Sequence, residues 1–273
     1  MLMFSGGEPR YPAETSTLQP AYVVTPGGAG RDILRASRVL GDYPLHRGVA
    51  QIGCLHLDLP PGDSDVALRL AGERSVREVF QAGSRACDAI FERMRRDCLA
   101  LLRGRTGVRL RLFLITWTGG TTGAGLVIPV LAAFQRLRAE LADHGVPVER
   151  WAILTLPVAG SDQPVLVLDR SAATLLSLEI ASRAGVPVGG RRLTVPLAEY
   201  AFLIDEAGPP PWSVEAQRDY ASDVLRKVAQ TGRPGEAIRQ SIRRQPRPDP
   251  SVESWVLQSI RFGSPTSNHR MRA

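Results

Sequence analysis

The residues best suited to chemistry in this chain are the seven at Gly119-Gly120-Thr121-Thr122-Gly123-Ala124-Gly125. They stand between an apolar run, Leu110, Leu112, Phe113, Leu114 and Ile115, and a stretch in which Leu126, Val127, Val130, Leu131, Phe134, Leu137 and Leu141 recur at helical spacing. Strand, glycine loop and helix in that order aim several backbone N–H groups and the positive end of a helix dipole at one point, which suits a phosphate. Glycine lets backbone approach a ligand closely, and Thr121 and Thr122 add hydroxyl donors. A second run of the same kind lies near the start. There the strand Ala21–Thr25 leads into Pro26-Gly27-Gly28-Ala29-Gly30, and a helix is expected from Arg31 to Leu40 with Ile33, Leu34 and Val39 toward the core.

Elements must position these loops, and the sequence supplies them at regular intervals. Gln51 to Leu59 alternates with Leu55, Leu57 and Leu59 on one face and reads as a strand. Ser75 and Glu78 form a capping box for a helix expected to run to about Arg103, where Gly104 ends it. Gly145 stands where the helix after the Thr-rich loop should be capped. Beyond it come a strand over Arg150–Leu156, a helix over Ser171–Arg183 carrying Leu175, Leu176, Leu178 and Ile180, a strand over Tyr200–Ile204 and a helix over Ser213–Gln230. Strands alternating with helices predict an α/β fold with a doubly wound, mostly parallel sheet.

Composition bounds the rest. With 273 residues, 44% hydrophobic and 22% charged, the chain can bury one substantial core. The expected organisation is a lead-in over 1–20, one domain over 21–231 and a basic, Pro-rich tail over 232–273. Cys54, Cys87 and Cys98 show no CxxC spacing and read as reduced thiols of a cytoplasmic protein, packed as small apolar residues. His46, His56, His144 and His269 make no zinc pattern. The first residues lack the features of a signal peptide, and no apolar run is long enough to cross a bilayer. Lys227 is the only lysine, which excludes a Gly-Lys-Ser/Thr phosphate loop. The Arg, Ala, Pro and Gly usage reads as that of a GC-rich genome.

The Thr-rich loop resembles the GGGTGSG or GGGTGTG signature of the tubulin and FtsZ family of GTP-binding proteins, with Thr121 at the third Gly and Ala124 at the Ser or Thr. Gly27-Gly28-Ala29-Gly30-Arg31-Asp32 resembles that family's first phosphate loop, GQAGNQ, and Asp58-Leu59-Pro60-Pro61 resembles its VDLEP stretch with Pro60 in place of Glu. The resemblance covers Ala21 to about Gln230 and implies a Rossmann-like nucleotide-binding domain of a divergent, truncated bacterial cytoskeletal protein. It implies that Gly27, Gly28, Ala29, Gly30 and Arg31, with Gly119 to Gly125, hold the phosphates of GTP or GDP. By the same resemblance Asp58 orients magnesium through water, a hard oxygen for a hard ion. Ser161-Asp162 resembles the ribose-proximal loop, and Asp162 would accept from a ribose hydroxyl. Asp205-Glu206 stands where the family has LDN; a carboxylate there accepts from the guanine N1–H and amino group, a donor pair adenine lacks. Ala71-Gly72-Glu73-Arg74 is the only candidate for the loop that senses the γ-phosphate, and it lacks that loop's run of glycines.

No residue in the sequence takes the role of the water-polarising acid that the family's second domain carries, so hydrolysis is expected to be slow or partner-dependent. From Gly232 onward eight Arg stand against three acids, and the tail, with Trp255 and Ile260, could meet an acidic protein, an anionic surface, nucleic acid or another copy of the chain. Two other readings of the residues stay open. An NAD(P)-binding oxidoreductase would use the turn near Gly28 for the dinucleotide and Asp58 for the ribose, and a scaffold would keep the fold without a ligand.

Overall fold

The structure, a computed structural model, describes residues 19–43, 51–60, 63–72, 74–157, 164–193, 198, 200–204 and 213–229. In chain order the elements are β1 (Ala21–Pro26), α1 (Gly27–Ala36), α2 (Val39–Asp42), β2 (Ile52–Leu57), α3 (Val76–Arg85), α4 (Cys87–Leu102), β3 (Leu110–Trp117) and α5 (Thr121–Asp143). They continue as β4 (Val148–Thr155), α6 (Val165–Ala184), β5 (Val186–Val188), β6 (Arg191–Leu193), β7 (Tyr200–Ile204) and α7 (Val214–Ala229).

Five strands form one sheet in the order β2-β1-β3-β4-β7, every pair parallel. A central parallel strand needs apolar side chains on both faces, and β3 and β4 supply them. On one face Leu110, Leu112 and Leu114 meet α4 and α5 through Met94, Leu126, Val130 and Phe134. On the other, Phe113, Ile115, Trp151, Ile153 and Phe202 meet α1 and α7 through Ile33, Leu34, Val224 and Leu225. Trp151 stacks on Tyr200 at 3.9 Å between ring centroids, with Phe113 and Phe202 each 5.9 Å away. The sheet is therefore doubly wound, as the alternation of elements implies.

Two helices begin earlier than apolar periodicity indicates. α5 starts at Thr121 and not Leu126, and α1 at Gly27 and not Arg31. Their glycines are helix residues that pack face-on against neighbours. A Cβ on Gly123 would lie 2.3 Å from Thr116 Oγ1, one on Gly125 2.6 Å from Val79, and one on Gly30 2.3 Å from the Ile115 carbonyl oxygen. A moment-bearing face cannot be read where the contact is made by an absent side chain. The helix expected from Ser75 to Arg103 is two, broken at Ala86. The break keeps both pieces against α5, with Gly83 set on Leu126 and Pro129 and Cys87 Sγ 3.9 Å from the Pro129 carbonyl. α6 starts six residues before Ser171, and the antiparallel β5–β6 hairpin has no counterpart in the sequence reading. Cys54 is exposed on edge strand β2, which corrects the expectation that all three thiols pack as apolar residues; Cys87 and Cys98 do. Among the described residues no helix is long and apolar enough to cross a membrane.

Candidate functional site

In a sheet of order 2-1-3-4-5, counting its parallel strands along the chain, the connections leave β1 and β3 toward opposite faces, so a crevice opens beyond their carboxyl ends. α1 starts directly after β1 on the α7 side, and α5 starts after β3 on the other. The two glycine segments thus flank that crevice. Their starts touch: a Cβ on Gly27, whose φ is +76°, would lie 3.5 Å from Gly123 N and 3.5 Å from Thr122 Cβ. Thr116 Oγ1 donates to the Pro26 carbonyl at 2.9 Å and fastens the ends of the two strands together.

Neither helix start is capped by a side chain, and neither has an acid in its first turn. α3 and α7 differ, since Ser75 accepts from Glu78 N and Ser213 from Ala216 N. The first N–H groups of a helix have no intrahelical acceptor. Two such ends, uncapped and side by side, concentrate donors and positive dipole potential at one place.

Asp58 joins them from the end of β2. Its Oδ1 accepts from Thr122 Oγ1 at 3.2 Å and from Leu59 N at 2.8 Å. Its Oδ2 faces His56 Nε2 at 3.9 Å. The His56 Nδ1 lies 2.8 Å from the Thr25 carbonyl, an acceptor only, so Nδ1 carries the proton and Nε2 points at the carboxylate. His56 escaped the sequence reading, which sought metal spacings; the signal present was its position two residues before Asp58, on the same side of a strand.

The chain thus brings Gly27, Gly28, Ala29, Gly30 and Arg31 together with Thr121, Thr122, Gly123 and Asp58. Their roles divide. Gly30, Gly123 and Gly125 are glycines because of packing, and a Cβ on Gly119 would meet Trp117 and Val167 at 2.7 and 2.6 Å. Ala29 is exposed and Gly28, Arg31, Gly120, Thr121 and Thr122 are half-buried, with no atom within 4 Å of a Cβ on Gly28. Arg31 Nε is buried without a hydrogen-bond partner among the described residues. Asp162, Asp205 and Glu206 lie outside the described residues, as does Glu73 of the γ-loop stretch. Their flanks are held by Gln217, also missed in the sequence, whose Nε2 donates to the carbonyls of Leu156 and Ile204 at 2.7 and 2.8 Å.

Among the described residues no cluster of three or more His, Cys, Asp or Glu could hold a metal ion. Asp58 has one oxygen left for a water or a cation, which suits magnesium bound mainly by phosphates and water.

No protein-family model matches the chain, and no curated protein matches it in sequence. Among solved structures it is similar to CetZ from Methanosaeta thermophila, at 13% identity over 76% of this chain and 52% of that one, with a TM-score of 0.48. It is also similar to an FtsZ dimer from M. jannaschii, at 14% identity over 80% of this chain and 57% of that one, with a TM-score of 0.47. A third similarity is to a GTPγS-form protofilament of TubZ from Bacillus thuringiensis serovar israelensis, at 10% identity over 82% and 62%, with a TM-score of 0.45. The chain spans between about half and three-fifths of the length of these three structures.

Proposed function

We propose that the chain binds a guanine nucleotide at the crevice between β1 and β3. The observation that carries this reading is the meeting of Gly27 with Thr122 and Gly123, two uncapped helix starts that bring Asp58 with them. In this reading the first-turn N–H groups of α1 and α5 bind the phosphates, and Arg31 neutralises an oxygen. Asp58 orients hydrated magnesium beside them, and the ion, when bound, screens the phosphate charge. Asp162 accepts from the ribose, and Asp205 and Glu206 accept from the guanine edge. Residues 21–231 are the binding unit, and 232–273 are left for contacts with protein, nucleic acid or an anionic surface.

Turnover is proposed to be slow or to need a partner, because Asp58 is assigned to magnesium and no other residue in the reading is assigned to polarise water. The dinucleotide alternative stands second. It wants strands in the order 3-2-1-4-5-6, whereas this sheet has the other doubly wound order, and Asp58 is tied to the loop of α5.

Fluorescent GTP, ATP and NAD titrated in parallel with magnesium test the proposal. Preference for GTP over ATP by tenfold or more, on the order of 1.4 kcal/mol, is expected. Tight NAD binding, or equal binding of ATP, would overturn it, and no binding of any of the three leaves the chain as a scaffold.

A further inference from the structure

Helix α6 is built inside out. The side chains it buries are mostly small or polar, Ser171, Thr174, Leu178 and Ala181. Its larger aliphatic side chains face water: Val165 is 71% exposed, Leu176 60%, Leu166 56%, Ile180 52% and Leu168 48%. Val165, Leu168, Leu176 and Ile180 follow one another at three- and four-residue multiples, with Ala172 between them, and so share one stripe. The four residues of the stripe expose on the order of 400 Å² of apolar surface, within the range of the largest patch of a typical monomer. The inner face is fixed by Ser171 Oγ, 2.6 Å from Thr118 Oγ1, so the helix cannot roll to hide the stripe without breaking that contact.

We infer that this stripe is the docking site of the chain's own segment Ser251–Phe262. Val252, Trp255, Val256 and Ile260 in that segment recur at i, i+3, i+4 and i+8, and Phe262 falls on the same side of a helical projection. Ser254, Leu257, Gln258 and Arg261 fall opposite, Glu253 lies at the border, and Ser259 lies within the apolar side. A twelve-residue helix is about 18 Å long and the stripe from Val165 to Ile180 about 22 Å, so the two match in length. The connection suffices: residues 230–250 separate α7 from the segment, and 21 residues can span up to about 70 Å, well beyond the about 17 Å radius of gyration of a domain this size.

Area and tethering favour this occupant over a second copy. Two α6 stripes face to face would bury on the order of 800 Å² in all, below the roughly 1,200 Å² at which stable association between separate chains begins. A tethered segment meets the stripe at an effective concentration in the millimolar range and needs far less area.

Hydrogen exchange on the full-length chain tests the inference. Amides of 251–262 are expected to exchange at least about tenfold more slowly than in an unstructured peptide. In a Leu176→Glu/Ile180→Glu chain that protection is lost while β3 stays protected. Leu40→Glu, at an exposed aliphatic residue elsewhere, leaves it intact. A third variant, Val256→Glu, removes the protection from the other side and leaves α6 itself unaltered. Free exchange of 251–262 in the natural chain, or protection that survives the α6 substitutions, overturns the assignment. Protection that vanishes on hundredfold dilution assigns the stripe to a second copy instead and overturns it too. None of these outcomes depends on nucleotide, so the proposed binding function stands or falls separately.

Discussion

Thr122 does two things that a glycine-rich loop viewed as a string of letters does not disclose. It sits in the first turn of α5 and lends its hydroxyl hydrogen to Asp58 at 3.2 Å. Thr122→Val keeps the shape and removes that bond, so GTP affinity should fall about tenfold in magnesium and little without it, read by titration with and without chelator. Gly28→Asp is the sharper probe, because the new side chain enters open space and places a carboxylate where phosphate oxygens are proposed. A loss of tenfold or more with an unchanged unfolding midpoint is expected, and unchanged affinity would sink the assignment of Gly28. Gly123→Val, by contrast, would report on packing, not binding, since even its Cβ collides with Thr116 and Trp117.

Protonation supplies a further residue-scale test. Burial, and next the hydrogen bond to Asp97 at 2.6 Å, raises the Tyr22 phenol well above its ordinary value, and burial raises the Cys98 thiol. Both groups are therefore kept neutral in the folded chain. Their contribution is complete below the unfolded values, about 8.5 for the thiol and about 10 for the phenol, and is lost as pH rises toward the folded ones. Urea unfolding should show stability declining above pH about 8.5 and more steeply above about 10, each group adding up to about 1.4 kcal/mol per pH unit. Tyr22→Phe should reduce the steeper part, the remainder belonging to Tyr220, whose phenol burial also pushes up; an unchanged slope there would contradict the assignment.

At the scale of elements, the strands of the five-stranded sheet were legible and the starts of the two site helices were not. β7 occupies the residues its apolar run indicates, β3 runs two residues past Ile115, and β4 starts two residues before the expected strand and ends one residue short of it, because a strand buried on both faces announces itself by continuous apolar side chains. α1 and α5 begin where glycine replaces a side chain, and absence has no periodicity. α6 was legible as a helix that carries Leu175, Leu176, Leu178 and Ile180, but not in which of them it buries, since only Leu178 is fully buried. The same reasoning predicts how α1 responds to substitution. Gly30→Ala forces a methyl to 2.3 Å from the Ile115 carbonyl and should cost roughly 1–3 kcal/mol in urea unfolding, whereas Gly28→Ala should be near neutral.

Taken whole, the molecule places its chemistry at one end of the sheet and its firmest polar clasp at the other. Alternation of elements was enough to foresee a doubly wound sheet, but not the strand order, which depends on where each crossover lands. Nor did the letters foretell the clasp, because Arg111 stands within a run of apolar residues. It is fully buried, and its guanidinium donates to the carbonyls of Gln19, Val228 and Ala229 and to the Tyr43 hydroxyl, at 2.6 to 3.1 Å. Tyr43 in turn donates to Gln19 and Ala229. Arg111→Met should cost roughly 3 kcal/mol by urea unfolding, since it strands several buried acceptors at once.

That clasp has a mechanical meaning. The chain leaves the last turn of α7 at Ala229, and that turn is bolted to the first residues of β3 and to Tyr43. Tension that reaches Ala229 would be transmitted through the Arg111 guanidinium and the Tyr43 hydroxyl, and from Arg111 into the middle strand of the sheet, the strand whose far end leads into the Thr-rich loop. A pull on the tail should therefore rupture the Arg111 bonds before the sheet yields. In an optical trap, the natural chain should show a small release of α7 ahead of global unfolding, at a force that Arg111→Met lowers.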